Sequence, residues 1–341
     1  MQFIKDLSMQ ELSEKIVSLG EKGYRGRQIF QWIYRKKAGS FDEMSDLPLD
    51  LRNKLKENFC IDGLKIIKTN ESLIDGTTKY LFQLPDNQLI ETVLIPHPNR
   101  NTVCVSTQVG CKFGCRFCAS GIAGFKRNLT AGEIIDQLIQ VEINKKSNRI
   151  NNVVFMGIGE PMDNYENVLK AIRIINSSDG MNIGSRKITI STCGIIPAIE
   201  KLADENMQVE LSVSLHSADH RVRTNLMPVN KKYPIAKLVN TLKNYQAKKN
   251  RQVTFEYLLI KNINDSDEQI KNLVQLTKNL DCIVNLLCYN PVKDINFSPP
   301  DKETVVNFQN KLRVAGVKVT LRSSKGADIE AGCGQLRLQY L

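Results

Sequence analysis

The first sixty residues carry apolar positions at helical spacing. Leu12, Ile16 and Leu19 recur every three or four residues behind Ser8-Met9-Gln10-Glu11, a capping box that opens a helix. Ile29, Phe30, Ile33 and the single tryptophan, Trp32, predict a second helix over residues 25–37. Pro48 suits the first turn of a third, running through Leu51, Leu55 and Phe59. From Leu64 the period shortens to two. Stretches 64–69, 79–84 and 89–95 read as strands between the turn signals Asp75-Gly76 and Asp86-Asn87, which predicts a short antiparallel extension. Glu91 lies in the last of these strands, on the face opposite Ile90 and Thr92, where a solvated carboxylate is the simplest assignment.

Beyond Thr102, strand and helix signals alternate. Strands are predicted at 103–106, 152–156, 187–191, 210–214, 253–260 and 283–287, each followed by a helix, with a last strand at 318–321. Thr130-Ala131-Gly132-Glu133 caps the first of those helices, and later ones open near Asn164, Pro197, Ile235, Ser266 and Lys302. Repeated strand–helix units imply parallel strands joined by right-handed crossovers. The expected fold is α/β: a partial (βα)6 barrel behind a small N-terminal helical domain and a short antiparallel β extension. The segments are 1–60 (helical), 61–101 (extension), 102–325 (barrel core) and 326–341 (tail). In such barrels the carboxyl ends of the strands form one rim, where chemistry is assembled. Gly159, Glu160, Ser191, Ser214, Leu215, His216 and Asn290 fall on that rim, together with the loop after residue 106.

Composition narrows the class. With 42% hydrophobic and 24% charged residues the chain is ordinary for a globular protein. No apolar run approaches the ~18 residues of a membrane span, so no membrane partner is expected. The start, Met1-Gln2-Phe3-Ile4-Lys5-Asp6, lacks the basic-then-apolar layout of a signal peptide, so cytoplasm is the expected location. The formal charge of +11 favours a polyanion such as nucleic acid. Cations around the second helix, and Lys126, Arg127, Arg221, Arg223, Lys231 and Lys232, are candidate phosphate contacts; a solvated basic surface explains each of them equally well.

Nine cysteines, an odd number, fit a reducing compartment better than a disulfide scaffold. Three of them sit in Cys111-Lys112-Phe113-Gly114-Cys115-Arg116-Phe117-Cys118, spaced C-x3-C-x2-C. Thiolates this close converge on one soft cation or cluster more readily than they pair with each other. Structural zinc takes four protein ligands, and an electron-carrying 4Fe-4S cluster takes four cysteines. Three cysteines point to a 4Fe-4S cluster with one iron open to an outside ligand. A zinc knuckle completed from elsewhere, or three plain buried thiols, are the alternatives.

The spacing, with Phe117 before the last cysteine, resembles the signature of radical S-adenosylmethionine (SAM) enzymes. Further motifs extend the resemblance over nearly the whole chain: Glu91-Thr92-Val93, Cys104, Lys126-Arg127-Asn128-Leu129, Gly157-Ile158-Gly159-Glu160-Pro161, Ser214-Leu215-His216, Met227-Pro228-Val229-Asn230, Asn290-Pro291 and Ala331-Gly332-Cys333-Gly334-Gln335-Leu336. Together they are similar to the RlmN-type adenine-C2 RNA methyltransferases, and the expected barrel is then a radical SAM barrel.

The resemblance implies a division of labour. Cys111, Cys115 and Cys118 hold the 4Fe-4S cluster, whose open iron binds SAM, and an external donor such as flavodoxin or ferredoxin reduces it. Gly159 and Glu160 bind the SAM amino group, and Ser191, Ser214, Leu215, His216 and Asn290 complete the pocket. Two SAM molecules serve each turnover: one methylates Cys333, the other yields the radical that takes hydrogen from that methyl group. The carbon radical adds to adenine, Glu91 accepts the carbon-2 proton, and Cys104 releases the product by forming a transient disulfide with Cys333. The implied substrates are 23S rRNA and tRNA, and the implied state is a monomer.

Taken residue by residue, the signals differ. Cys333 lies between glycines, as in a mobile loop. Cys104 lies in an apolar strand and by itself reads as core, as do Cys60, Cys282 and Cys288. Cys193 carries no assigned role, and His216 alone reads as a structural histidine. The nearest rival is the Cfr-type branch, which methylates carbon 8 by the same route. Pro161 after Gly159-Glu160, where that branch tends to have alanine, favours carbon 2. A radical SAM activase acting on a protein is the more distant alternative.

Overall fold

The computed structural model describes residues 1–122, 124–145, 149–293 and 295–336; the last five residues of the expected tail lie outside the described residues. Three helices open the chain: α1 (Met9–Ser18), α2 (Tyr24–Tyr34) and α3 (Leu49–Asn58). The capping box at Ser8 is formed in full. Its hydroxyl accepts from the Glu11 amide at 3.3 Å, and the Glu11 carboxylate accepts from the Ser8 amide at 2.7 Å.

The extension follows as β1 (Lys65–Glu71), β2 (Thr78–Gln83) and β3 (Leu89–His97), an antiparallel meander that continues into β4 (Arg100–Cys104). From β4 the chain repeats strand and helix: α4 (Ala131–Asn144), β5 (Asn152–Phe155), α5 (Tyr165–Asn176), β6 (Ile188–Thr192), α6 (Ile196–Asp204) and β7 (Glu210–Ser214). Then come α7 (His220–Leu226), α8 (Ile235–Lys249), β8 (Val253–Leu259), α9 (Asp267–Thr277), β9 (Cys282–Cys288), α10 (Lys302–Val314) and β10 (Val319–Arg322). These ten strands form one sheet in chain order, with β4 through β10 parallel. β1 and β10 stand at its two ends, so the barrel is open, and the α/β class and partial barrel match the expectation.

Two departures have physical causes. β4 ends at Cys104 instead of running to residue 106, because the Gln137 side chain takes over the Ser106 backbone: it accepts from the Ser106 amide at 2.8 Å and donates to its carbonyl at 2.9 Å. The α7 helix had no sequence forecast. It is too short for an apolar stripe and rests on its cap, Asp219, whose carboxylate accepts from the Val222 amide at 2.8 Å.

One contiguous apolar core runs from Ile16, Phe30 and Leu51 in the N-terminal helices to Val153, Val213 and Val284 in the barrel strands. Buried polar groups tie the same junction. Lys5 pairs with Asp136 at 2.5 Å, the Tyr34 hydroxyl donates to the Lys5 carbonyl at 3.0 Å, and the Gly132 amide donates to Asp6 at 2.8 Å.

Candidate active site

The cysteine loop is held at its base by a two-residue antiparallel ladder, Gln108–Val109 against Arg127–Asn128. Gly110 adopts a positive φ of 74°, and a Cβ there would lie 1.7 Å from the Gly124 carbonyl oxygen, so only glycine lets the loop close on itself. Cys111, Cys115 and Cys118 all face one cavity of ≈ 160 Å³ at the carboxyl ends of the strands. Burial pushes the Cys111 thiol up to about 12, and that of Cys115 well above its ordinary value, with charge on the neighbouring thiols adding to both. A positive centre between these sulfurs would favour their ionised forms. Among the described residues no three His, Cys, Asp or Glu side chains form a ready-made site for a single ion. Three sulfurs with a fourth side open to a cavity suit an iron–sulfur cubane.

The opposite wall begins at Gly159, whose φ of 106° and close approach to Gln108 (2.6 Å for an added Cβ) bring the backbone to the cavity edge. Glu160 is buried and fixed: its carboxylate accepts from the Met162 amide at 3.0 Å and the Cys193 amide at 2.7 Å. Burial still outweighs these bonds and raises its pKa above the ordinary carboxylate value. Ser191 and Ser214, at the ends of β6 and β7, line the same wall. So does His216, which holds a left-handed backbone (φ 56°) and packs edge-on against Phe117 at 4.7 Å. Its Nδ1 accepts from the Leu258 amide at 3.0 Å, which leaves the proton on Nε2. Burial, then the Arg223 charge, push its pKa down to about 3, so the ring is neutral at ordinary pH.

Two of the expected pocket residues stand behind the wall. Leu215 is fully buried; its amide donates to the Glu256 carbonyl at 3.0 Å and its carbonyl accepts from Arg223. Asn290 donates to the Cys333 carbonyl at 3.3 Å and sits so close to Gly332 that a Cβ there would be 2.6 Å from its amide nitrogen.

The tail brings Cys333 in. The Ala119 amide donates to the Gly334 carbonyl at 2.8 Å and the Ser120 hydroxyl to the Leu336 carbonyl at 2.9 Å, so the tail is tied to the cysteine loop itself. Cys333 keeps exposed surface, but that surface lines the cavity beside Cys118. Burial raises its thiol; Arg322 pulls the other way, and Glu256 and Cys118 add to the rise. Cys104 lies in a small apolar group with Val93, Ile158 and the tail residues Ala331 and Leu336. Burial pushes its thiol up to about 12, and charge on Cys333 is the next contributor, which places the two sulfurs in each other's field; both are free thiols.

Glu91 is not the solvated carboxylate that alternation suggested: it is 3% exposed. Its Oε1 lies 3.3 Å from Lys79 Nζ, and that ammonium also donates to the Glu330 carbonyl at 3.1 Å. It lines a second, polar pocket shared with Asp328 and Glu330 of the tail, not the cavity of the cysteines. Because Val93 pairs with Cys104 and alternate residues share a face, Glu91 and Cys104 lie on the same side of the sheet, under the tail.

Two sequence assignments change, and one residue is added. Arg223 is buried, with its guanidinium donating to the carbonyls of Ser214 (2.7 Å), Leu215 and Cys193 (2.8 Å); it braces the rim and cannot reach a phosphate. Arg127 is engaged by Asp86 at 2.7 Å and Glu133 at 2.8 Å. Glu256, assigned no role from sequence, lines the cavity. It accepts from Ser212 at 2.9 Å and Asn285 at 3.1 Å. A lone carboxylate inside the apolar strand Val253–Leu259 was the signal for it; for Arg223, one cation among many, there was none.

Comparisons with known proteins agree with this geometry. Residues 105–274 match the family model of the radical SAM superfamily, and residues 4–61 match the ribosomal RNA large subunit methyltransferase N-terminal domain. A protein of Thermoanaerobacter pseudethanolicus described as a probable dual-specificity RNA methyltransferase RlmN is 47% identical over 338 residues, 99% of this chain and 98% of that one. A Staphylococcus carnosus protein of the same description is 45% identical, covering 98% and 93%. The crystal structure of a radical SAM methyltransferase from Sphaerobacter thermophilus superposes with a TM-score of 0.95 at 43% identity, covering 99% of both chains. Among the described residues no helix is long and apolar enough to cross a membrane. A three-cysteine loop on the rim of an open barrel, an N-terminal helical match and full-length similarity at this level lead to one conclusion: the chain belongs to the RlmN family of radical SAM RNA methyltransferases.

Proposed function

We propose that this enzyme methylates carbon 2 of adenine in 23S rRNA and in the tRNA anticodon loop, with Cys333 carrying the one-carbon unit. The observation that supports this most directly is the tail, tied to the cysteine loop, with Cys333 on the cavity wall beside Cys118 and in the field of Cys104. Carbon 2 of adenine is electron-poor, so direct transfer of an electrophilic methyl group to it is unsuitable. A 4Fe-4S cluster on Cys111, Cys115 and Cys118, together with SAM, supplies the methyl group and the one-electron chemistry that removes a hydrogen atom.

The chain's own residues do the rest. The Glu160 carboxylate, held by two backbone amides, keeps lone pairs for the SAM ammonium, and the Gly159 backbone gives it room. Ser191 and Ser214 offer hydroxyls to the remainder of SAM, and His216, with its Nε2–H, offers a donor that stays uncharged. Leu215 acts through its backbone, and Asn290 by holding the Cys333 loop.

Cys333 loses its proton and takes the first methyl group, forming a carbon–sulfur bond. After a hydrogen atom leaves that methyl group, its carbon bonds to carbon 2, and Glu91, 3.3 Å from Lys79, accepts the carbon-2 proton while the adduct's unpaired electron would return to the cluster. The Cys104 sulfur then attacks the Cys333 sulfur; a sulfur–sulfur bond forms as the carbon–sulfur bond breaks, and the Cys104 thiol proton goes to the released carbon, completing the methyl group. Two outside electrons restore both thiols. Residues 1–60 and the β extension 61–101 present the RNA to the 102–325 core, and the 326–341 tail shuttles the carbon. The base must be unpaired or flipped to expose this edge. A cytoplasmic monomer fed by an external electron donor fits these requirements.

Anaerobic incubation with methyl-labelled SAM and an rRNA fragment, followed by nucleoside analysis, is expected to yield labelled 2-methyladenosine; 8-methyladenosine would assign the Cfr-type alternative. Cys104→Ala is expected to stop at a covalent protein–RNA adduct, and Cys333→Ala to abolish both protein labelling and product. Labelled nucleoside from Cys333→Ala would exclude the carrier role.

A further inference from the structure

We propose that the pocket formed by Arg116, His220, Arg221, Thr224, Asn225 and Lys231 is the docking site of a small acidic one-electron carrier protein. The inference rests on the assignment of the cluster to Cys111, Cys115 and Cys118. Its first support is position. Arg116 stands inside the cysteine motif, one residue from Cys115, and consecutive Cα atoms are only about 3.8 Å apart. The cysteines turn their sulfurs toward the cavity, whereas Arg116 is exposed and lines a separate outer pocket. Its amide donates to the Leu226 carbonyl at 2.9 Å, so the back of the cysteine loop and α7 make one surface. Electron transfer weakens steeply with distance, which favours this approach over any that must cross the barrel.

The second support is charge. Arg116, Arg221 and Lys231 converge with His220, and among the described residues no carboxylate lines the pocket. Among the described residues none of these three permanent cations has an Asp or Glu within 4.0 Å, whereas Lys112 has Asp163 at 2.8 Å and Arg127 has two carboxylates. A basic patch without internal neutralisation steers and orients an acidic partner. The platform is also firm. Asn230 donates to Thr224 at 2.7 Å and to the His220 carbonyl at 3.2 Å, and buried Arg223 pins α7 to the rim from below.

The third support is separation. The pocket shares no lining residue with the cavity that holds Cys333, so a carrier seated there leaves the RNA route open. Among the described residues no Phe, Tyr or Trp lines it. The step it serves is balanced simply: the carrier loses one electron, the cluster gains one, and no bond forms or breaks.

Flavodoxin is the probe. In the Arg221→Glu/Lys231→Glu double variant, its calorimetric Kd at low salt is expected to rise at least about tenfold, with a smaller rise for Arg221→Gln/Lys231→Gln. The rate at which reduced flavodoxin bleaches the cluster's visible absorbance is expected to fall in parallel, while bleaching by dithionite stays at the wild-type value. Unchanged flavodoxin binding would overturn the proposal. A loss of RNA affinity with flavodoxin binding intact would overturn it too, and assign the pocket to the RNA backbone. A wild-type protein that, after anaerobic reconstitution, shows no dithionite-bleachable absorbance would refute the cluster assignment itself, a failure visible without any variant.

Discussion

His216 shows how a single side chain can be kept neutral by its surroundings. Its Nδ1 is committed to the Leu258 amide, the Phe117 ring covers it, and Arg223 stands close enough to oppose a second positive charge. The folded pKa of about 3 lies below the ordinary 6.5, so between these values the unfolded chain binds a proton that the folded chain refuses. Stability attributable to this residue is therefore intact above about pH 7 and is lost as pH falls, at about 1.4 kcal/mol per pH unit. Asparagine tolerates a left-handed backbone and can accept from the same amide, which makes His216→Asn the proper comparison. The stability advantage of the wild type over His216→Asn, from urea unfolding, is expected to shrink by about that slope between roughly pH 6 and pH 4. A difference that does not vary with pH would show that the imidazole is not held neutral.

At the scale of elements, the cysteine loop separates two glycines that look alike in sequence. Gly114 has a positive φ of 61° with open space around it, so Gly114→Ala is expected to cost about 1–2 kcal/mol of backbone strain and to keep its iron. Gly110 faces the Gly124 carbonyl across the ladder that clasps the loop, and an added methyl group forces that ladder apart. Gly110→Ala is expected to lose about 3 kcal/mol or more and most of its capacity to bind iron, read as iron per chain after anaerobic reconstitution. Equal iron content in the two variants would refute this account of loop closure. Local signals of this kind were legible in the sequence wherever the cause is local. The capping boxes at Ser8 and Thr130 formed, the strand–helix alternation gave the barrel, and rim position gathered Gly159, Glu160, Ser191, Ser214 and His216 at one cavity. What stayed hidden is set by chain distant in sequence. Period-two alternation told which side of β3 Glu91 occupies, but not that the tail covers that side; nothing local distinguishes Arg223, buried under three carbonyls, from the exposed Arg221 beside it.

For the whole molecule the question is whether the N-terminal helices and the barrel unfold together. Their apolar core is continuous, and the junction is sealed by Lys5 and Asp136, which are 4% and 0% exposed. Asp136 also accepts from the Leu64 amide at 2.8 Å, at the point where the helical segment hands over to the β extension. Removing Lys5 alone strands a carboxylate with no access to water, and breaking such a pair from one side costs about 3–5 kcal/mol. Lys5→Met is therefore expected to be destabilised by about that amount, whereas Lys5→Met/Asp136→Asn, which removes the stranded charge and keeps an acceptor for Leu64, recovers most of it. Trp32, the single tryptophan, reports on the helices through its fluorescence, and far-UV circular dichroism reports on the whole fold. Since one core serves both parts, the two signals are expected to share a single urea midpoint in the wild type and to move together in Lys5→Met. A tryptophan transition that shifts while the dichroism midpoint stays in place would mean that the helices unfold on their own, and that burial of this ion pair reflects docking of a separable unit, not a common core.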